Sequence, residues 1–152
     1  MASTASPLSL KGRALRYLAG REHSRVELQR KLAQYEEEPG SLQRVLDELQ
    51  AKDFISEQRA ADSVVRRRGA RLGTALVRQE LMAKGVVAEV VTAAVQALKA
   101  TEQTRAREVW RKKFGAPAPD AAGHAKQMRF MAARGFAPDA IRRVVAGSDE
   151  DD

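Results

Sequence analysis

The chain reads as all-α, three tandem three-helix repeats stacked into an elongated array. Three observations predict this. The sequence repeats itself every 45 to 50 residues, its apolar residues recur at spacings of three and four, and its composition is helical. Ser56-Glu57-Gln58 and Val64-Val65-Arg66-Arg67-Arg68 return 45 residues later as Thr101-Glu102-Gln103 and Val109-Trp110-Arg111-Lys112-Lys113. Leu42, Leu46 and Leu49 return as Val91, Val95 and Leu98 at an offset of 49, and Val91 and Val95 return as Ile141 and Val145 at an offset of 50. Leu32 likewise returns as Leu81 and Met131. Self-similarity at such a period marks stacked copies of one supersecondary unit. Aromatic residues make up only 5% of the chain, and the apolar set is mainly Ala, Leu and Val, which favours helix.

The first repeat is expected over residues 8–52. Ser6-Pro7 offers a cap followed by a proline at the first helical position, Leu10, Ala14, Leu15 and Leu18 mark one face, and Gly20 stops the helix. Ser24-Arg25-Val26-Glu27 is a capping box, in which the serine bonds forward and the glutamate back. Leu28 and Leu32 continue that helix. The acidic turn from Glu36 to Gly40 precedes a third stripe of Leu42, Val45, Leu46 and Leu49. The second repeat, expected over 56–99, starts at Ser56 as N-cap, with Ala60, Ala61, Val64 and Val65 inward. Gly69 and Gly73 break the chain, a second helix ends at Gly85, and Val87, Val91, Val95 and Leu98 mark a third.

The third repeat, expected over 101–146, starts at Thr101 in the N-cap role, with Ala106, Val109 and Trp110 matching Ala61, Val64 and Val65. The segment Gly115 to Pro119 is a loop, Asp120 caps the next helix, Gly135 ends it and Pro138 opens the last. Residues 1–6 and 148–152 are expected to be flexible termini. The count is nine helices of ~10–14 residues, none stable alone, so each must bury its stripe against a neighbour.

Formal net charge is +7, and without the four acidic residues Asp149 to Asp152 the body is +11. A body this basic implies a polyanionic or acidic partner. There is no cysteine, so no disulfide and no thiolate metal site. The N-terminus lacks a basic start followed by an apolar run, and no apolar stretch approaches the ~18 residues that span a bilayer. A cytoplasmic protein without membrane contact is expected. The only histidines, His23 and His124, support neither a nucleophilic set nor a metal centre, and no Gly-rich phosphate loop is present. The expectation is a non-enzyme without cofactor or metal.

The basic residues carry the functional reading. Arg59, Arg66, Arg67, Arg71 and Arg78 crowd the second repeat, Arg105, Arg111, Lys112 and Lys113 the third, and Arg129, Arg142 and Arg143 continue toward the end. With Ala61, Val64 and Val65 inward, Arg59, Arg66 and Arg67 point elsewhere, and Arg111 and Lys112 repeat the positions of Arg66 and Arg67. The repeat thus displays cations in register, suited to phosphates or acidic side chains. About six contacts to single-stranded phosphates would give a salt slope near −4. Such binding is sequence-blind. A row of aromatics for base stacking is lacking, and Tyr17, Tyr35 and Trp110 are expected to pack in or against the core. Nucleic acid alone is therefore not expected to be the whole partner.

Across residues 8 to 145 the sequence resembles the RecX regulatory proteins of bacteria. The resemblance rests on Leu49, Phe54-Ile55-Ser56-Glu57-Gln58-Arg59-Ala60-Ala61 and Arg66-Arg67-Arg68. It rests also on Gly73, Leu76-Val77, Glu80-Leu81 and Lys84-Gly85-Val86, and on Ala14-Leu15, Leu18, His23 to Leu28 and Lys31-Leu32. It implies three three-helix repeats in a curved array, and a non-enzyme that binds the RecA recombinase filament on single-stranded DNA. Such a protein limits filament growth and damps strand exchange, ATP hydrolysis and co-protease activity. DNA contact is expected to be weak and sequence-independent, and the chain to be monomeric. The third repeat, with its Pro-rich loop, departs most from the family pattern. Two alternatives stand beside this reading. One is a direct DNA-binding architectural protein, against which the stretch from Val87 to Leu98 carries Glu89, Thr92 and Gln96 but no arginine for base contact. The other is a helical scaffold for an acidic protein.

Overall fold

The computed structural model describes residues 8–147. The Ser6-Pro7 cap and the acidic stretch Asp149 to Asp152 lie outside the described residues. The order is α1 (Leu10–Gly20), α2 (Arg25–Leu32), a short 3₁₀ turn (Ala33–Tyr35), α3 (Ser41–Ala51), α4 (Glu57–Arg68), α5 (Thr74–Ala83), α6 (Ala88–Lys113), α7 (Ala121–Ala133) and α8 (Pro138–Val145). Among the described residues there are eight α-helices and no strand.

Local chemistry sets most of the boundaries. Ser9 caps α1 by accepting from Gly12 N–H. Ser24 and Glu27 form the reciprocal capping box that opens α2. Ser56 caps α4 and Asp120 caps α7, each accepting from the backbone three residues on. Pro138 stands in the first turn of α8. Gly85 and Gly135 adopt positive φ of 69° and 87° just past α5 and α7, closing each helix with the left-handed residue that glycine adopts without strain.

One boundary differs from the sequence expectation. The third helix of the second repeat and the first helix of the third are one continuous helix, α6, 26 residues long, and Thr101 lies inside it rather than capping a new one. The cause is a length difference. Between Leu49 and Ser56 six residues intervene, but only two separate their counterparts Leu98 and Thr101. Two residues cannot turn the chain, so helical propensity carries it through.

Each repeat keeps its own apolar cluster. Ala14, Leu28, Leu32, Leu42, Leu46, Leu49 and Ile55 fill the first. Ala61, Val64, Val77, Leu81, Val86, Val91 and Leu98 fill the second. Ala106, Trp110, Met131, Phe136, Ala140, Ile141, Val144 and Val145 fill the third. The substantial helix packing falls within these groups, with α6 lending its first half to the second repeat and its second half to the third. Three cores in series are what a repeat array needs, because no repeat buries its face against a distant one. Trp110 is buried as expected and donates its indole N–H to Gln127 Oε1 at 2.9 Å. Tyr17 and Tyr35 are not core residues. Both lie at the surface, Tyr17 beside His23 and Tyr35 beneath the Arg13 guanidinium.

Candidate interaction surface

Two joints hold the three repeats together, and they share a plan. At the first joint the start of α2 meets the end of α5: Ser24 Oγ donates to the carbonyl of Lys84, and Gly85 packs so closely on Val26 that a Cβ there would come within 2.5 Å of its side chain. At the second, the start of α5 meets the end of α7. Gly73 N–H donates to the carbonyl of Arg134 at 2.7 Å, and a Cβ on Gly135 would come within 2.6 Å of Leu76. A buried carboxylate reinforces each. Glu57 accepts from the backbone N–H of Arg25 at 3.0 Å and of Val87 at 2.9 Å. Glu102, its repeat counterpart, accepts from Thr74 N–H at 2.8 Å. Helix starts leave N–H groups without partners, and a carboxylate both satisfies them and complements the positive helix end.

The twelve expected surface cations separate into groups. Arg66, Arg67, Arg71, Arg78, Arg111, Lys112, Lys113, Arg129, Arg142 and Arg143 are exposed. At 100° per residue, Arg66 stands about 200° around α4 from the buried Val64, pointing away from the core. The side chains of Arg66, Arg67, Arg78, Lys112 and Arg129 make no hydrogen bond or ion pair with another described residue. Arg111 makes a 3.5 Å pair with Glu108, Arg142 pairs with Asp139, and Lys113 lies over the Phe130 ring. The exposed groups line separate grooves. Arg67 faces the cleft of the first joint, Arg78 a groove with Lys99 between α5 and α6, and Arg111 a groove with Trp110 and Val144.

Arg59 and Arg105 stand apart, since both serve the fold. Arg59 ties Glu22 at 3.0 Å and the Asp53 carboxylate at 3.0 Å, strapping the first repeat to the start of α4. Arg105 turns inward and donates to the carbonyls of Gly69, Leu72 and Leu98 and the hydroxyls of Thr74 and Thr101, at 2.6 to 3.1 Å. Burial lowers its pKa, opposed by the nearby Glu102. Its guanidinium cements the turn after α4 onto α6. Register could have shown this: Arg105 occupies the position of Ala60, which is buried on the inner face of α4. The same register pairs Glu57 with Glu102, the two joint carboxylates that charge counting treats as surface groups.

A polar cluster sits at the first joint. His23 is buried, with Nδ1 3.0 Å from the Arg21 carbonyl and Nε2 3.0 Å from Lys31 Nζ. An ammonium can only donate, so Nε2 accepts and Nδ1 carries the proton. Burial holds the imidazole pKa below its usual value, with the Arg21 and Lys31 charges adding to this against the Arg21 carbonyl and Glu27. Burial alone would raise Glu27, but Arg21, the Ser24 N–H and Lys84 outweigh it and hold that carboxyl below the usual range. His124 is exposed on α7, and among the described residues no group of three or more His, Asp or Glu side chains could hold a metal ion. No helix among the described residues is long and apolar enough to cross a membrane.

Comparison with known proteins gives one answer at three levels. Residues 11–49 match the family described as "RecX, first three-helix domain", residues 56–95 the second such domain and residues 100–145 the third. "Regulatory protein RecX" of Leptothrix cholodnii is 52% identical over 151 residues, covering 99% of this chain and 96% of that protein. The protein of the same name from Herminiimonas arsenicoxydans is 47% identical over 145 residues, covering 95% and 96%. The crystal structure of RecX from Lactobacillus salivarius superposes with a TM-score of 0.72 at 19% identity, covering 91% of this chain and 93% of that one, and so supports the fold. With all three domains matched in order along most of its length, the chain belongs to the RecX family of regulatory proteins.

Proposed function

We propose that the protein binds RecA filaments assembled on single-stranded DNA and inhibits their recombinase, ATPase and co-protease activities. It would thereby act as a negative modulator of recombination and the SOS response. Beside family membership, the observation that carries this is the recurrence of Arg66 and Arg67 as Arg111 and Lys112, all four exposed on successive repeats. The charge also climbs along the array. Residues 8–52 hold nine basic and seven acidic groups, residues 56–99 eight and four, and residues 101–146 ten and four. A partner carrying both phosphates and acidic side chains suits such a surface better than bare DNA, because the chain has no row of aromatics to stack bases. In this reading the protein acts in the cytoplasm as a monomer, performs no catalysis, and touches single-stranded DNA weakly and without sequence preference.

The test is a low-dose titration into growing recombinase filaments, followed in real time with strand exchange and ATP turnover. Inhibition at or below stoichiometric amounts is expected. Undiminished filament growth and turnover would overturn the reading.

A further inference from the structure

The cleft at the first joint encloses about 300 Å³ between the α1–α2 turn, α4 and the turn after α5. Two carboxylates, Glu22 and Glu27, and three cations, Arg21, Arg67 and Lys84, line it, and their pairing is uneven. Glu27 is taken by Arg21 at 2.7 Å and by the Ser24 N–H at 3.1 Å, and Glu22 is taken by Arg59 at 3.0 Å. Lys84 Nζ is left 3.8 Å from Glu27, beyond hydrogen-bond reach, although its side chain is only 20% exposed. Arg67 lines the same cleft, and its guanidinium has no partner among the described residues. Ser63, one turn before Arg67 on α4, adds a hydroxyl on that face. An unpaired guanidinium, an ammonium held only by a 3.8 Å pair with Glu27, and a hydroxyl thus line one concave site. A guanidinium fork, a point charge and a hydroxyl suit the tetrahedral oxygens of a phosphate.

The second joint supplies an internal contrast. Register places Lys112 where Arg67 stands and Arg134 where Lys84 stands, so the cation pair recurs. Ser63, however, is replaced by Glu108, whose carboxylate lies beside Arg111. A carboxylate at that position repels an anion. We propose that the cleft of the first joint binds one backbone phosphate of single-stranded nucleic acid through Arg67, Lys84 and Ser63, and that Glu108 closes the equivalent position of the second joint to phosphate. This deepens the functional reading above by naming one of its DNA contacts.

The test uses the full chain and a short labelled oligothymidylate, without recombinase, in an anisotropy titration over a salt series. Arg67→Gln and Lys84→Gln should each lower the slope of log affinity against log salt by about 0.7, the value of one single-strand phosphate contact. Ser63→Glu should weaken binding about tenfold, while Glu108→Ser should tighten it. Melting temperatures of all four are recorded, and the exposed Arg67→Gln keeps the test decisive if Ser63→Glu fails to fold. Unchanged oligonucleotide affinity and slope in Arg67→Gln and Lys84→Gln would overturn the site. Variants that lose only filament binding would also overturn it, assigning the cleft to an acidic protein surface instead. Inhibition of strand exchange by the parent chain is read separately, so the site can fail while the filament reading stands.

Discussion

The helix breaks between the first and second repeats and runs straight through between the second and third, yet both joints bring matching surfaces together. Between α3 and α4 the helix breaks at a turn in which Asp53 adopts φ of 66°, and Arg59 ties that turn to Glu22 of the first repeat. Between the second and third repeats the helix α6 continues without a break. Despite this, Gly85 on Val26 and Gly135 on Leu76 occupy matching places, as do Glu57 and Glu102. The linker therefore does not dictate the joint. Close backbone packing and a carboxylate on a helix start do, and the connecting segment adapts to them.

Removing the carboxylates should give the largest effects and should separate the joints. Glu57→Ala strips two part-buried backbone N–H groups of their acceptor, each at the lower end of the about 1–3 kcal/mol cost of an unpaired group, so a loss of about 2–3 kcal/mol is expected. Glu102→Ala strips one and should cost about 1–3 kcal/mol. Urea unfolding of the two variants checks the ranking. Equal losses would mean that one of the two N–H groups at the first joint finds another acceptor once Glu57 is gone.

Exchanging the residues at which the joints differ is the next test. Ser24 of the first joint corresponds to Gly73 of the second. As an N-cap, serine in place of glycine should help by a few tenths of a kcal/mol. A Cβ at residue 73 would, however, lie 2.2 Å from the backbone of Gly135, and overpacking costs about 1–3 kcal/mol. Gly73→Ser should therefore lower the melting temperature. A rise would show that the second joint can open without loss.

How much of this is legible in the sequence follows from the kind of force involved. The capping box at Ser24, the caps at Ser56 and Asp120, the closing glycines 85 and 135, and the apolar stripes of all three cores are set by neighbours within a turn or two, and they read directly. The fusion into α6 does not, because Thr101 resembles a cap in isolation. Its signal is the offset falling from 49 to 45 between Leu98 and Thr101. Arg105, Glu57 and Glu102 are hidden for a different reason. Charged side chains are read as solvent-facing, and only tertiary structure shows that their partners are backbone groups of another element. Of the expected binding cations, Arg66 and Lys112 follow helical periodicity outward, Arg67 stands a turn after the buried Val64 and edges the cleft of the first joint, and Arg105 betrays its inward course only when aligned with Ala60.

A pH profile sharpens the contrast at smaller amplitude. His23 of the first joint corresponds to Leu72 of the second, so only one joint holds a titrating group at this position. The folded chain resists protonating His23, since the charged ring would be buried away from water and would also meet Arg21 and Lys31. The unfolded chain takes it up near the ordinary value of about 6.5. The stability from this group is thus complete above pH about 6.5 and declines as pH falls toward the lowered folded value. The depressed Glu27 acts in the more acidic carboxylate range. Melting curves between neutral and mildly acidic pH should show the decline, and His23→Leu should flatten it.

The outward cations should barely move stability. Arg66 points away from the α4 core and its side chain has no partner among the described residues, and Arg111, its counterpart, has only the exposed pair with Glu108. Exposed pairs are worth about 0–1 kcal/mol, so Arg66→Gln with Arg111→Gln should leave the melting temperature close to the parent value. Filament affinity should respond instead, with a salt dependence flatter by about 0.7 for each single-strand phosphate that is no longer neutralised. Because Arg66 lies just after the first joint and Arg111 after the second, the single variants compare the two repeats directly. Similar slopes would mean that the partner tracks both repeats alike. A change confined to Arg66→Gln would mean that Glu108, beside Arg111, already neutralises the second position and that the two repeats share a pattern of charge without sharing a binding role.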